Sequence, residues 1–586
     1  MRANLVYKYG LYGVCVAFLA LFLVWPIALT VLGGFQTQID GRTAWTLRFV
    51  LDVFVDPVMR DGLINSLLIA CCVTALSLAV ALPLALLSTR FDFRGKTIFS
   101  SLLLVPLILP PFVGVIGLRM LLGRYGAVNS LLASMGLGDE ADPINWLGGW
   151  RFFGVVMMEV LHLYPIVYLN VSAALANLDP SMEQAAANLG ASRWTRLRRI
   201  VLPLIMPGVF AGATIVFIWS FTELGTPLMF DYTAVAPVQI FWGIQEMATS
   251  AQPYALVVVM LAIAVGLYLI GKVTIGRRSY AATTRASVAA TTKRLTGGKG
   301  LLVLLPFAAI TFLAVMPHVG VILASLTEPD TWYQSVLPEC LTMAHYIGET
   351  GALRDADASG SIRNSLIYSV LAMMVDVALG LTIAYLVVRS RVIGGKLLDA
   401  MAMMPLAVPG LVIAFGYVAI SFQVGGWFEA RGLAVPGWLQ VVGENPNPIV
   451  FLVIAYAVRR LPYVVRSASA GLEQTPRDLE EAALNLGASR WRTVRRIVMP
   501  LIMANLIAGG LLAFSFAMLE VSDSLILAQT SEHYPITKRI YELFDRLGDG
   551  PYVASAMGVW GMALLTLTLI GASMMLGKKL GAIFRI

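Results

Sequence analysis

The sequence predicts an all-α polytopic membrane protein with twelve transmembrane helices, arranged as two parallel six-helix repeats. Three observations predict it. The chain is 58% hydrophobic and only 13% charged, with a mean hydropathy of +0.79. Soluble domains are nearer a quarter charged, so lipid has to act as solvent for much of this surface. Twelve apolar runs approach the roughly 20 residues that cross a roughly 30 Å hydrocarbon layer as a helix. Finally, the polar stretch NLGASRW at 188–194 recurs unchanged at 485–491.

The runs of the first half lie near 11–34, 63–88, 98–122, 150–176, 203–228 and 254–275. Those of the second lie near 300–325, 364–389, 397–422, 448–472, 499–527 and 555–577. The first is too long for a signal-peptide core and no small-residue cleavage site follows it, so it reads as an uncleaved helix. The third contains VPLILPPFVGVIG at 105–117, Pro-rich enough to kink. Cys15, Cys71 and Cys72 fall inside runs and Cys340 in a loop, which suits packing and sets no disulfide pattern.

Lys and Arg collect in alternate connections, which sets orientation. Arg90, Arg94 and Lys96 form one group, and Arg193, Arg196, Arg198 and Arg199 the next. Arg277, Arg278, Arg285, Lys293, Arg294 and Lys299 follow. The second half continues with Arg389, Arg391 and Lys396, then Arg490, Arg492, Arg495 and Arg496, then Lys578, Lys579 and Arg585. Intervening loops are acidic or mixed, as in GDEADP at 138–143. Both termini and both NLGASRW copies are therefore expected on the cytoplasmic side. The net charge of +8 arises from this asymmetry, and no separate soluble domain supports nucleic-acid binding.

The repeat extends beyond NLGASRW. INSLLIA at 64–70 matches RNSLIYS at 363–369, and RFDFRGK at 90–96 matches RSRVIGGK at 389–396. Six runs per half give both halves the same orientation. The expected division is 1–275 for the first half, 276–299 for a solvated cytoplasmic linker and 300–586 for the second half.

Each repeated segment, 181–203 and 478–500, sits between the fourth and fifth runs of its half. SMEQAAANLG at 181–190 opens on a Ser that can cap a helix and ends on a Gly that closes one cheaply, and 476–487 follows the same plan. A basic turn and a second amphipathic piece then lead into the next run through Pro203 or Pro500. Such a short helix can pass a partner's push to two membrane helices. A helix resting its arginines on anionic headgroups is the plainer alternative. Duplication favours two copies of one partner, since lipid requires no such identity.

These segments resemble the EAA loop of ABC-importer permeases, in which E-A-A is followed after three residues by Gly and after nine more by Ile-x-Leu-Pro. The second copy reads Glu481-Ala482-Ala483, Gly487, then Ile497-x-Met499-Pro500, preceded by Glu480. The first reads Gln184-Ala185-Ala186, Gly190, then Ile200-x-Leu202-Pro203, preceded by Glu183. Gln184 departs from the pattern. The resemblance covers nearly the whole chain as two fused halves of the type I importer permease fold. It implies coupling helices seated on two copies of a cytoplasmic ABC ATPase subunit, and a periplasmic or lipoprotein substrate-binding protein at the outer face. It also implies a multi-pass protein of a bacterial or archaeal inner membrane. No P-loop is present, because the GGK fragments at 297–299 and 394–396 lack its spacing and hydroxyl. The chain is thus expected to be no enzyme and to bind no metal or other cofactor itself, with ATP and Mg on the partner ATPase.

Charged groups within apolar runs are costly and become candidates for a substrate pathway. Glu223 matches Glu520 at the repeat offset, about 20 residues past the Pro that opens each run, or roughly 30 Å along a helix toward the outer side. ELGTP at 223–227 breaks its helix, and Asp523 follows Glu520 by three. These carboxylates could line a cation path, or cap broken helix ends. His162 matches Arg459, with Glu159 one turn before His162 for an internal pair. They could gate a pathway or bond helix to helix. Asp376, isolated in the eighth run, is expected to pair with a neighbour.

Double permeases of this length resemble ferric-iron importers, with thiamine, 2-aminoethylphosphonate and polyamine importers as alternatives. The stretches 106–132, 459–469 and 519–529 look most like the iron group. The competing class is an ion-gradient-driven secondary transporter, which would favour intramembrane relays over paired loops.

Overall fold

Hydrocarbon offers no partner to a backbone N–H or C=O, so a chain this apolar crosses lipid as helices. The computed structural model describes residues 2–576 apart from 40–41, 109, 140, 148–150, 248–249, 277–291, 391 and 444–445. The first half runs α1 (Lys8–Gly33), α2 (Pro57–Arg90), α3 (Lys96–Ile108), α4 (Pro111–Ser134), α5 (Arg151–Ala176), short α6 (Pro180–Asn188), α7 (Arg193–Phe221) and α8 (Gln252–Ile270). The second repeats the order. It runs α9 (Gly298–Leu326), α10 (Ala356–Arg389), α11 (Gly395–Met403), α12 (Gly410–Glu429), α13 (Ile449–Gln474), short α14 (Asp478–Asn485), α15 (Arg490–Met518) and α16 (Gly550–Ala572).

Among the described residues, ten of these helices are long and apolar enough to cross a membrane, or eleven if α3 and α4 form one span. Two of the twelve expected spans are not plain apolar helices. α3 and α4 meet at 102°, where Pro110 and Pro111 remove two successive backbone donors. α13 is 26 residues long but carries Arg459, Arg460 and Arg466, too many charges to count as an apolar span. The ninth run also breaks. α11 passes through a tight turn at Met404–Leu406, and the continuous helix starts only at Gly410, so that span ends further along than expected.

Within each half, the three helices flanking the repeated segment pack together: α2 with α5 and α7, and α10 with α13 and α15. The first helices are exchanged. α1 packs against α12 of the second half, and α9 against α4 of the first. Equivalent glycines permit both crossings. A Cβ on Gly416 would stand 2.6 Å from the Pro26 carbonyl oxygen, and one on Gly117 2.2 Å from that of Pro317. Only a residue without Cβ lets the backbones approach so closely. Tyr417 Oη adds a hydrogen bond to the Phe22 carbonyl at 2.5 Å.

Among the described residues, two small sheets decorate the helices. β1 (Gln36–Ile39) pairs antiparallel with β2 (Arg42–Trp45), and β3 (Phe91–Asp92) pairs parallel with β4 (Lys293–Arg294). The end of the 276–299 stretch is thus held by backbone pairing while its β4 side chains stay exposed. Arg277, Arg278, Arg285, Arg391, Lys578, Lys579 and Arg585 lie outside the described residues.

Candidate coupling and pathway sites

Both repeated segments fold alike. α6 is capped by Asp179, whose carboxylate accepts from the Ser181 N–H at 2.9 Å. Ser181, expected as the cap, lies inside the helix, because Pro180 takes the first helical position where its missing N–H costs nothing. Those bonds, from the Ser181 N–H and then its hydroxyl, hold the Asp179 carboxyl below its ordinary range. α14 starts from Arg477 with no side-chain cap.

Gly190 and Gly487 both take φ +84°. The Ala191 N–H reaches back to the Ala186 carbonyl at 2.9 Å, and that of Ala488 to Ala483 at 3.0 Å. This left-handed closure favours glycine. Ser192 and Ser489 then cap the next helix by accepting from the Thr195 and Arg492 N–H groups. The expected separate amphipathic piece is continuous with its span. A π turn, Leu197–Val201 or Val494–Val498, precedes Pro203 or Pro500 and accommodates its missing donor.

Glu183 and Glu480 tie these helices to the bundle. Glu183 lies 3.0 Å from Arg90, at the end of α2, and 4.0 Å from Arg196. Glu480 lies 2.8 Å from Arg389, at the end of α10, as an ion pair without hydrogen-bond alignment. Arg389 also donates to the Thr475 carbonyl and Arg477 to that of Val388. Gln184, Ala185, Glu481 and Ala482 face solvent, whereas Ala186 is half-buried and Ala483 buried. Beside them stand matched apolar side chains, Leu189 and Leu486 at 88% and 89% exposed, and Trp194 and Trp491 at 66% and 62%. Two equal apolar patches therefore project from one plan. In the sequence Arg90, Arg196 and Arg389 stand out only as orientation signals and the exposed Leu and Trp pairs carry no role of their own, although the repeat offset marks all of them.

The pathway candidates come together between the halves. A cavity of about 200 Å3 is bordered by His162, Glu223, Arg459 and Glu520, with Trp219, Arg460 and Tyr463. Glu223 and Glu520 occupy the breaks after α7 and α15, before the chain resumes helix at Gly225–Met229 and Ser522–Leu527. Asp523 is fully buried behind this wall, 3.5 Å from Arg459.

The two sides differ chemically. Glu520 is paired with both Arg459 and Arg460. Glu223 accepts from the Trp219 indole at 3.2 Å and weakly from Thr226 N–H at 3.4 Å, all neutral donors, so it also caps the broken end. Lining a cavity and capping a helix are thus combined at Glu223, while Glu520 is already neutralised. His162 Nδ1 lies 2.8 Å from the Pro106 carbonyl, with its ring edge-on to Trp219. Glu159 accepts from the Ser220 hydroxyl. The expectation that Asp376 pairs is corrected: among the described residues neither of its buried carboxylate oxygens has a hydrogen-bond partner.

Residues 77–280 and 376–576 each match the family described as binding-protein-dependent transport system inner membrane component. The ferric transport system permease protein of Actinobacillus pleuropneumoniae is 29% identical over 546 residues, covering 92% of this chain and 74% of its own. A Haemophilus influenzae protein, provisionally named as a ferric transport system permease, is 28% identical over 527 residues, covering 89% and 77%. A solved bacterial ABC transporter, involved in import of the acidic polysaccharide alginate, aligns at 18% identity with a TM-score of 0.35. That alignment covers 48% of this chain and 96% of that one.

Proposed function

The chain belongs to the family of binding-protein-dependent transport system inner membrane components, and from that premise we propose that it moves ferric iron inward by ATP-driven alternating access. It is the multi-pass inner-membrane permease of an ABC importer, with two type I halves fused in one chain.

One observation carries the coupling reading. Two segments, alike down to a φ +84° glycine, each project an exposed Leu and Trp just beyond a short helix tied to the bundle by an ion pair. Equal surfaces suit two copies of one ATPase subunit, which brings ATP and Mg. Both termini and both segments then face the cytoplasm, and a binding protein delivers substrate to the opposite face. Closure of the ATPase pair draws α6 and α14 together. The Arg90–Glu183 and Arg389–Glu480 links pass that movement to α2 and α10, which pack on α5, α7, α13 and α15.

Ferric iron is favoured by the name of the Actinobacillus pleuropneumoniae relative. It is also favoured by Glu223, a cavity carboxylate whose hydrogen bonds among the described residues come from neutral donors while Arg459 and Arg460 are taken up by Glu520. The experiment is ATPase stimulation of the assembled importer by binding proteins loaded with ferric iron, thiamine, 2-aminoethylphosphonate or a polyamine. Stimulation by the iron-loaded protein alone is expected. A response to one of the others, without iron, overturns the substrate assignment.

A further inference from the structure

A second cavity, of about 560 Å3, opens between α1, α10 and the start of α15. That is the size of a small-molecule site. Its wall is apolar, with Met373, Met374 and Leu381 of α10, Leu11 of α1 and Met499 of α15. Methionine is unbranched and polarizable, so such a wall adapts to a flexible chain of no fixed shape. The rim has the opposite character. Lys8 and Arg490 both border the cavity, and among the described residues no acidic one does. Lys8 Nζ donates to the Ser390 carbonyl at 2.5 Å. The Arg490 guanidinium has no hydrogen-bond or ion-pair partner among the described residues. Trp491, largely exposed, stands beside it at the mouth.

An apolar slot ending in two cations matches one amphiphile. We propose that this cavity binds a single anionic phospholipid, with an acyl chain along the methionine wall and its phosphate between Lys8 and Arg490. Basic pockets between membrane helices on the cytoplasmic side take anionic headgroups in this way. The placement in that leaflet rests on the orientation proposed above. A bound lipid would bridge the exchanged helix α1, from the first half, to Arg490 and Trp491 of the second repeated segment. Occupancy therefore adjoins the second ATPase-facing segment.

The test uses the assembled importer in nanodiscs of phosphatidylcholine with or without phosphatidylglycerol, and native mass spectrometry to count retained lipid. Phosphatidylglycerol is expected to be retained over phosphatidylcholine. Lys8→Gln and Arg490→Gln should each lower its retention roughly fivefold, the effect of one cation near an anionic headgroup. Ala378→Trp, which fills the slot and leaves both cations, should lower it as well. Equal retention of phosphatidylcholine, or unchanged phosphatidylglycerol in all three variants, overturns the site. Orientation is read separately, with Leu486→Cys in a chain whose four native cysteines are serine. Labelling of intact cells by an impermeant maleimide overturns the leaflet assignment, whatever the lipid count.

Discussion

Glu480 and Arg389 form an ion pair at 2.8 Å, with side chains only 11% and 7% exposed, and it fastens α14 to the end of α10. The matching pair, Glu183 with Arg90 at 3.0 Å, is about a third exposed on both sides. Removing one partner of a closed pair strands a charge, whereas exposed pairs contribute ~0–1 kcal/mol. Arg389→Ala is therefore expected to lower ATP-driven uptake much more than Arg90→Ala. The exchange Glu480→Arg with Arg389→Glu should recover part of the loss. Uptake in proteoliposomes at matched ATPase content checks both.

Gly190 and Gly487 sit in the left-handed region, where a side chain costs roughly 1–2 kcal/mol and a β-branched one fits worst. Among the described residues no neighbouring atom lies within 4 Å of an added Cβ at either position, so the penalty is conformational and local. Gly487→Val should uncouple uptake while the chain still inserts and folds. Gly487→Asn, which tolerates that backbone, should stay nearer to the parent. Membrane-fraction yield and ATP-driven uptake, measured together, separate uncoupling from misfolding.

At the cavity, the two matched carboxylates predict opposite outcomes. Glu520→Gln leaves Arg459 and Arg460 short of their counter-charge, a loss of the kind that costs roughly 3–5 kcal/mol when a buried pair is broken. Thermal stability in detergent should fall clearly. Glu223→Gln keeps one acceptor oxygen for the Trp219 indole and gives up only the weak contact from Thr226, so it should lower stability slightly while lowering ferric uptake clearly. If Glu223→Gln destabilises the chain and spares uptake, its role is that of a helix cap alone.

The exchanged helices depend on Gly416 and Gly117. Gly416→Leu drives a side chain into the Pro26 carbonyl, and such overpacking costs roughly 1–3 kcal/mol. Tyr417→Phe removes only one hydrogen bond, worth about 1 kcal/mol. Protease sensitivity of α1 in membranes should rise strongly for the first variant and slightly for the second.

Apolarity and the repeat made the bundle legible, and the Pro-rich stretch at 105–117 marked the bend between α3 and α4. Periodicity could not show that α1 and α9 trade places, because it encodes which face is apolar and not whose face it meets. The same limit hid the charge pairing. Arg90 and Arg389 read as orientation signals, since nothing local links them to Glu183 or Glu480 some 90 residues on. Arg460 stood next to Arg459 in view, yet only the packing of α13 against the end of α15 brought both guanidiniums to Glu520. Glu223 and Glu520 looked equivalent at the repeat offset, and became different once their partners were in place.

Ferric iron uptake into proteoliposomes holding the assembled importer, with ATP on the side of α6 and α14 and with ionophores added, separates motor-driven from gradient-driven transport most directly. Accumulation that requires ATP hydrolysis, survives the ionophores and disappears in Gly487→Val is the predicted result. Accumulation that proceeds without ATP and collapses with the ion gradient would contradict the assignment of α6 and α14 as the points where an ATPase pair drives this permease.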